Sequence, residues 1–111
     1  MAANLQRLFG PATIAAAATS YFTAIGVTEI RKLTFNNPSS SVAYTISVWI
    51  APSGSGATTV TNMITTRNLQ PLEAWDARQI IGHVLNIGDQ IFAAASVAGV
   101  VNMMASGLVT S

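Results

Sequence analysis

Residues 80–107, IIGHVLNIGDQIFAAASVAGVVNMMASG, set two apolar runs on either side of a Gly-Asp pair, and that arrangement decides the class of fold. Within Ile87-Gly88-Asp89-Gln90-Ile91 the glycine opens φ angles closed to other residues and the aspartate carboxylate can bond to nearby backbone, so the chain is expected to turn there. The flanking runs are short and apolar, with turn residues at their ends, which is the pattern of antiparallel strands. No charged residue follows Asp89. The tail from Gln90 to Ser111 has the length of a bilayer span, about 20 residues. Ser96, Gly99, Asn102, Ser106 and Gly107 interrupt it, however, and no aromatic or basic anchor follows, so buried strands are expected and no membrane partner.

Composition narrows the class further. A chain of 111 residues fits one domain that buries roughly 65% of its unfolded surface. Charged residues make up 8% of it, against about 25% in an ordinary globular protein. Five basic residues (Arg7, Arg31, Lys32, Arg67, Arg78) nearly balance four acidic ones (Glu29, Glu73, Asp76, Asp89), and no basic stripe marks a direct nucleic-acid partner. The absence of cysteine rules out a disulfide framework and thiolate metal ligation. Leu8 to Thr28 is uncharged behind Arg7, as in a signal peptide. Gly10-Pro11 breaks that stretch and Thr19-Ser20-Tyr21 follows, so it reads instead as an extended arm leading into a strand.

Strand signals recur along the rest of the chain. In VTEIRKLTFN (27–36) Ile30 falls on one face while Leu33 and Phe35 fall on the other; a β-bulge near Arg31-Lys32 would bring all three inward. Asn36 to Ser41 is a turn around Pro38. VAYTISVWIA (42–51) alternates cleanly, with Val42, Tyr44, Ile46, Val48 and Ile50 on one face and Thr45, Ser47 and Trp49 on the other. Pro52 to Gly56 reads as a flexible loop, and strands are expected over Thr58–Thr66, Pro71–Trp75, Ile80–Leu85, Gln90–Ala95 and Val100–Ala105. Seven or eight short strands predict an all-β fold, an antiparallel β-sandwich of immunoglobulin-like or jelly-roll type with an extended N-terminal arm. Residues 1–20 form the arm and first extended segment, and residues 21–111 a single sandwich domain.

Catalytic chemistry has little to draw on. His83 is the only histidine, and a triad would need Asp76 or Asp89 plus an unspecified serine, with no GxSxG elbow to supply it. Glu73 and Asp76 are three apart and read as loop solvation. A metal site from His83, Asp76 and Asp89 lacks ligand spacing, and Gly54 and Gly56 do not open a helix as a phosphate loop requires. No enzymatic activity and no cofactor are expected. Trp49, opposite the apolar stripe among Thr45 and Ser47, is expected to be at least partly exposed in a monomer, where a tryptophan marks a contact unless a loop or the arm covers it. Trp75 admits the same readings. Together with Leu5, Leu8, Phe9 and Pro11 of the arm, these residues form the expected interface of a homo-oligomer, a trimer being one arrangement.

Leu8-Phe9-Gly10-Pro11, the run into Thr19-Ser20-Tyr21-Phe22-Thr23, and Ile30-Arg31-Lys32-Leu33-Thr34-Phe35-Asn36-Asn37 resemble the opening of a group of small tailed-bacteriophage virion proteins. Val84-Leu85-Asn86-Ile87-Gly88-Asp89-Gln90-Ile91, with Val101-Asn102 and Ser106-Gly107, is similar to their closing hairpins. Thr58 to Arg78 carries little of the pattern. The resemblance implies a structural protein located in the virion. That protein would be a capsid decoration or cement protein bound across major capsid protein subunits, or a neck or tail adaptor contacting other virion proteins. The alternative from a different class is a carbohydrate- or receptor-binding module of a fibre or adhesin, with tryptophan as its stacking platform.

Overall fold

The computed structural model describes residues 3–53 and 62–110. Met1-Ala2 of the expected arm, the loop glycines Gly54 and Gly56, and Thr58 to Thr61 of the expected fifth strand lie outside them. Nine strands follow one another: β1 (Ala3–Thr13), β2 (Thr19–Thr23), β3 (Thr28–Asn36), β4 (Tyr44–Ala51), β5 (Met63–Leu69), β6 (Ala74–Asp76), β7 (Val84–Leu85), β8 (Gln90–Ala95) and β9 (Asn102–Thr110). Every pairing is antiparallel. One sheet runs β1-β9-β3-β6 with β7 also on β3, and the other runs β2-β8-β4-β5. No helix among the described residues is long and apolar enough to cross a membrane.

The two sheets close on a core that the alternation of the strands supplies. Ile30, Leu33 and Phe35 of β3 and Met103, Ala105 and Val109 of β9 are buried, as are Ile46 and Val48 of β4 and Ile91, Ala93 and Ala95 of β8. Ile30, Leu33 and Phe35 all point inward because the β3–β9 register shifts between Ile30 and Lys32, at the position where the sequence demands a bulge. Both open margins of the sandwich are shut by aromatic rings. On the β1/β2 margin Phe9 lies 4.7 Å from Tyr21, whose hydroxyl accepts from Ala15 N at 2.7 Å. On the β5/β6 margin Trp75 stacks 6.3 Å from Phe35 and receives the Arg67 guanidinium over its ring at 5.0 Å.

Three expectations change. The Gly-Asp turn does not close a hairpin. Gly88 does take a φ of 92°, and Asp89 accepts from Asn86 N and Ser53 N, but β7 belongs to the sheet of β3 while β8 lies in the other, so the turn carries the chain between sheets. The presumed strand from Ile80 begins only at Val84, because residues 77–83 form turns bonded to Leu33 and Ile30. The expected arm is instead an edge strand: from Ala3 to Thr13 it pairs with β9. Two register shifts, on either side of Phe9, break its alternation and hide it from a periodicity reading. Gly10 sits against the Met103 carbonyl with a φ of 74°, a place no side chain could occupy, and the Gly10-Pro11 peptide is cis.

Candidate interaction surface

The six expected contact residues are not brought together. Leu5, Leu8, Phe9 and Pro11 share β1 at one edge of the five-stranded sheet, Trp75 stands on β6 at its far side, and Trp49 lies on the opposite sheet. Leu8 and Phe9 pack against the core, which leaves Leu5, 74% exposed, and Pro11 as the accessible members. Trp75 is half-buried between Phe35 and Arg67, so its ring is spent inside the protein.

Trp49 departs furthest from expectation. It is only 9% exposed, with Phe92 of β8 and Met63 of β5 as its register neighbours on either side. Ala51, two residues on, is buried as well, so this end of β4 is covered on both faces. The indole Nε1 has no hydrogen-bond partner among the described residues, and a buried donor left unpaired costs about 1–3 kcal/mol.

What the fold does expose is an apolar end. Hydrogen bonds from Ala24 N to Asp89 O and from Gly88 N to Ala24 O hold the Ile87-Gly88 turn beside the β2–β3 loop, and Thr110 N bonds to Val27 O. Ile25 (86% exposed), Val27, Val84 and Ile87 all face solvent there. The outer face of the five-stranded sheet joins this end through the row Leu5–Leu108–Glu29–Val84, set by the register of β1, β9, β3 and β7. Glu29 is paired with Arg31 at 3.3 Å, the one ion pair at this row among the described residues. Exposed apolar side chains gathered in this way make the end a candidate contact surface. In the sequence Ile25, Val84 and Ile87 read as strand or turn residues, and only the pairing of distant segments gathers them.

Further along the same outer face lies a groove of about 390 Å³, lined by Pro11, Lys32, Thr34, Asn36, Asp76, Asn102, Met103 and Met104. These residues come from β1, β9, β3 and β6, and the strand alternation of β3 and β9 turns Lys32, Thr34, Asn36, Asn102 and Met104 outward. Asp76 accepts from Thr34 Oγ1 at 2.7 Å and pairs with Lys32 Nζ at 3.5 Å, which fixes one wall. Glu73, by contrast, faces away to Arg67 Nη2 at 2.6 Å and Gln70 N at 2.8 Å. These bonds, the Arg67 one foremost, hold its carboxyl below the usual carboxylate range. His83 is exposed in the turn before β7. Among the described residues no three His, Asp or Glu side chains gather as a metal site would need. Comparison with protein-family models, curated proteins and solved structures returns no match.

Proposed function

We propose that this chain is a non-enzymatic structural protein of a tailed-bacteriophage virion, a decoration or cement protein that binds across neighbouring subunits of the major capsid protein. The observation that carries the reading is the strand order. The chain changes sheet at every connection except β4–β5 and β6–β7. Sheets ordered β1-β9-β3-β6 and β2-β8-β4-β5 follow the path of an eight-stranded jelly roll in which β6 and β7 share the place of one broken strand. An immunoglobulin-type sandwich keeps more of its consecutive strands within one sheet. Jelly rolls serve capsid and lectin domains among others, so the topology supports the virion reading by analogy of fold.

The surface supports it through physical chemistry. With charged residues at 8% of the chain and an apolar end presented to solvent, the protein has little to keep it apart from a partner. Burial of such surface contributes about 25 cal/mol per Å² before association costs, and many weak sites on one shell act together. The test is copy number in purified particles, measured by quantitative mass spectrometry. Hundreds of copies are expected for a decoration protein; about a dozen would place it at the neck or tail, and none would overturn the virion reading. Truncating Met1–Pro11 is a poor probe of contact, since it strips most of a strand from the sheet.

The groove favours a second reading, a carbohydrate- or receptor-binding module. Convergent Asn36, Asn102, Asp76 and Lys32 over the apolar Met104 provide the polar groups that orient hydroxyls in a sugar site. Trp49 lends no support to it, because a ring nine-tenths buried offers no open stacking face. Glycan-array binding lost in Asn36→Ala would favour this module over the capsid reading.

A further inference from the structure

Among the described residues the outer side of β1 has no strand beside it, and β1 is the least guarded edge of the sandwich. Native sheets protect their edges by shortness, bulges, charge or cover. The far side of the same sheet is split between three-residue β6 and two-residue β7, and β2 is five residues long with a register shift between Ser20 and Phe22. At the edge of β5, Arg67 is drawn across to Glu73 and Trp75. By contrast β1 runs in unbroken register from Ala3 to Arg7 before its first shift. Beyond Phe9, the positive φ of Gly10 and the missing N–H of Pro11 end the template.

We propose that two copies of this chain pair antiparallel along β1, about a twofold axis at Leu5, and join their sheets into one. Leu5 is the midpoint of the straight segment, so the symmetric register sets it opposite Leu5 of the second copy. Asn4 then meets Gln6, and Arg7 falls opposite position 3 and clear of its own image. Leu5 is 74% exposed in the single chain and sits beside half-buried Leu108 on the same outer face. Pairing therefore converts an exposed side chain into the centre of a row Leu108–Leu5–Leu5–Leu108 across the seam. On the opposite face the Asn4–Gln6 pairs set exposed amides within reach of each other. A register centred on Arg7 would oppose two guanidinium groups and lose the leucine row. An isologous contact of this kind closes at two copies, and it holds whatever the assembled protein binds.

The test is mass in solution by sedimentation or light scattering. Wild type is expected at the two-chain mass and Leu5→Lys at the one-chain mass of 11.5 kDa, with an unchanged far-UV circular dichroism spectrum because the side chain is exposed in the single chain. Leu5→Glu alone is likewise expected to be a monomer. Mixing it with Leu5→Lys should restore the dimer, since opposite charges then meet directly across the seam. Leu72→Lys, exposed between β5 and β6 at the margin opposite β1, should leave the dimer intact. Leu5→Cys, a unique thiol in a chain without cysteine, should cross-link on oxidation, because facing Cα atoms about 4.5–5.5 Å apart suit a disulfide. A one-chain mass for wild type at millimolar concentration, a three-chain mass, or a dimer that survives Leu5→Lys would overturn the proposal.

Discussion

Trp49 shows how a single side chain separates stability from contact. Its ring is buried while its Nε1 has no partner among the described residues, so the two halves of the residue act in opposite directions. Trp49→Ala is expected to cost about 3–5 kcal/mol by opening a cavity. Trp49→Phe keeps most of the apolar surface and deletes the unpaired donor, and is expected to fall within about 1 kcal/mol of wild type. Denaturant unfolding measures both; equal, large losses would mean that the N–H is satisfied in solution. Alternation along 42–51 placed Trp49 opposite the core-facing stripe, but it could not show that Phe92 and Met63 are its register neighbours, because neither is near it in sequence. The bulge in β3 was legible because Ile30, Leu33 and Phe35 cannot all be buried without it. At Asp89 the turn was equally plain, its carboxylate chemistry being local.

At the scale of elements, β5 and β6 belong to different sheets and are tied by Arg67 reaching Glu73 and the Trp75 ring. Because the Glu73 carboxyl is held below its ordinary range in the folded protein, folding favours its ionised form. That contribution is fully present above the unfolded carboxylate range and is lost as pH falls through the lowered folded value. Melting temperature followed from neutral pH into acid should therefore fall less steeply in Glu73→Gln than in wild type; parallel curves would show that the tie does not contribute. Most strands between Val27 and Ala95 were readable from period and turn chemistry. β1 was not, since two register shifts disguise it, and the sheet-to-sheet crossing at Gly88 was not, since a Gly-Asp turn serves a hairpin and a crossing equally well. The groove was half legible: Lys32, Thr34 and Asn36 alternate outward in the sequence, but their meeting with Asn102, Met104 and Asp76 depends on distant pairing.

For the whole molecule, sparse charge leaves little repulsion between copies. Net charge is +1 at pH 7 and the isoelectric point is about 8.3, so mutual repulsion is weak across the neutral range. Light scattering at fixed salt is expected to report the strongest self-association near pH 8 and a decline in acid, where carboxylate protonation raises the positive charge. A profile independent of pH would assign association wholly to apolar contact and strand pairing. Composition alone predicts this dependence, and the exposed apolar end and the open β1 edge are where the proposed contacts would fall.

Strand β9 lies between β1 and β3, with β1 registered along it from Ala3 to Thr13 and β3 from Thr28 to Asn36. In synthesis β1 precedes the other eight strands, yet among the described residues the strand it bonds to is β9, the last of them. The five-stranded sheet therefore cannot be completed before β9 has been made, so its central strand is the last of the nine to be supplied.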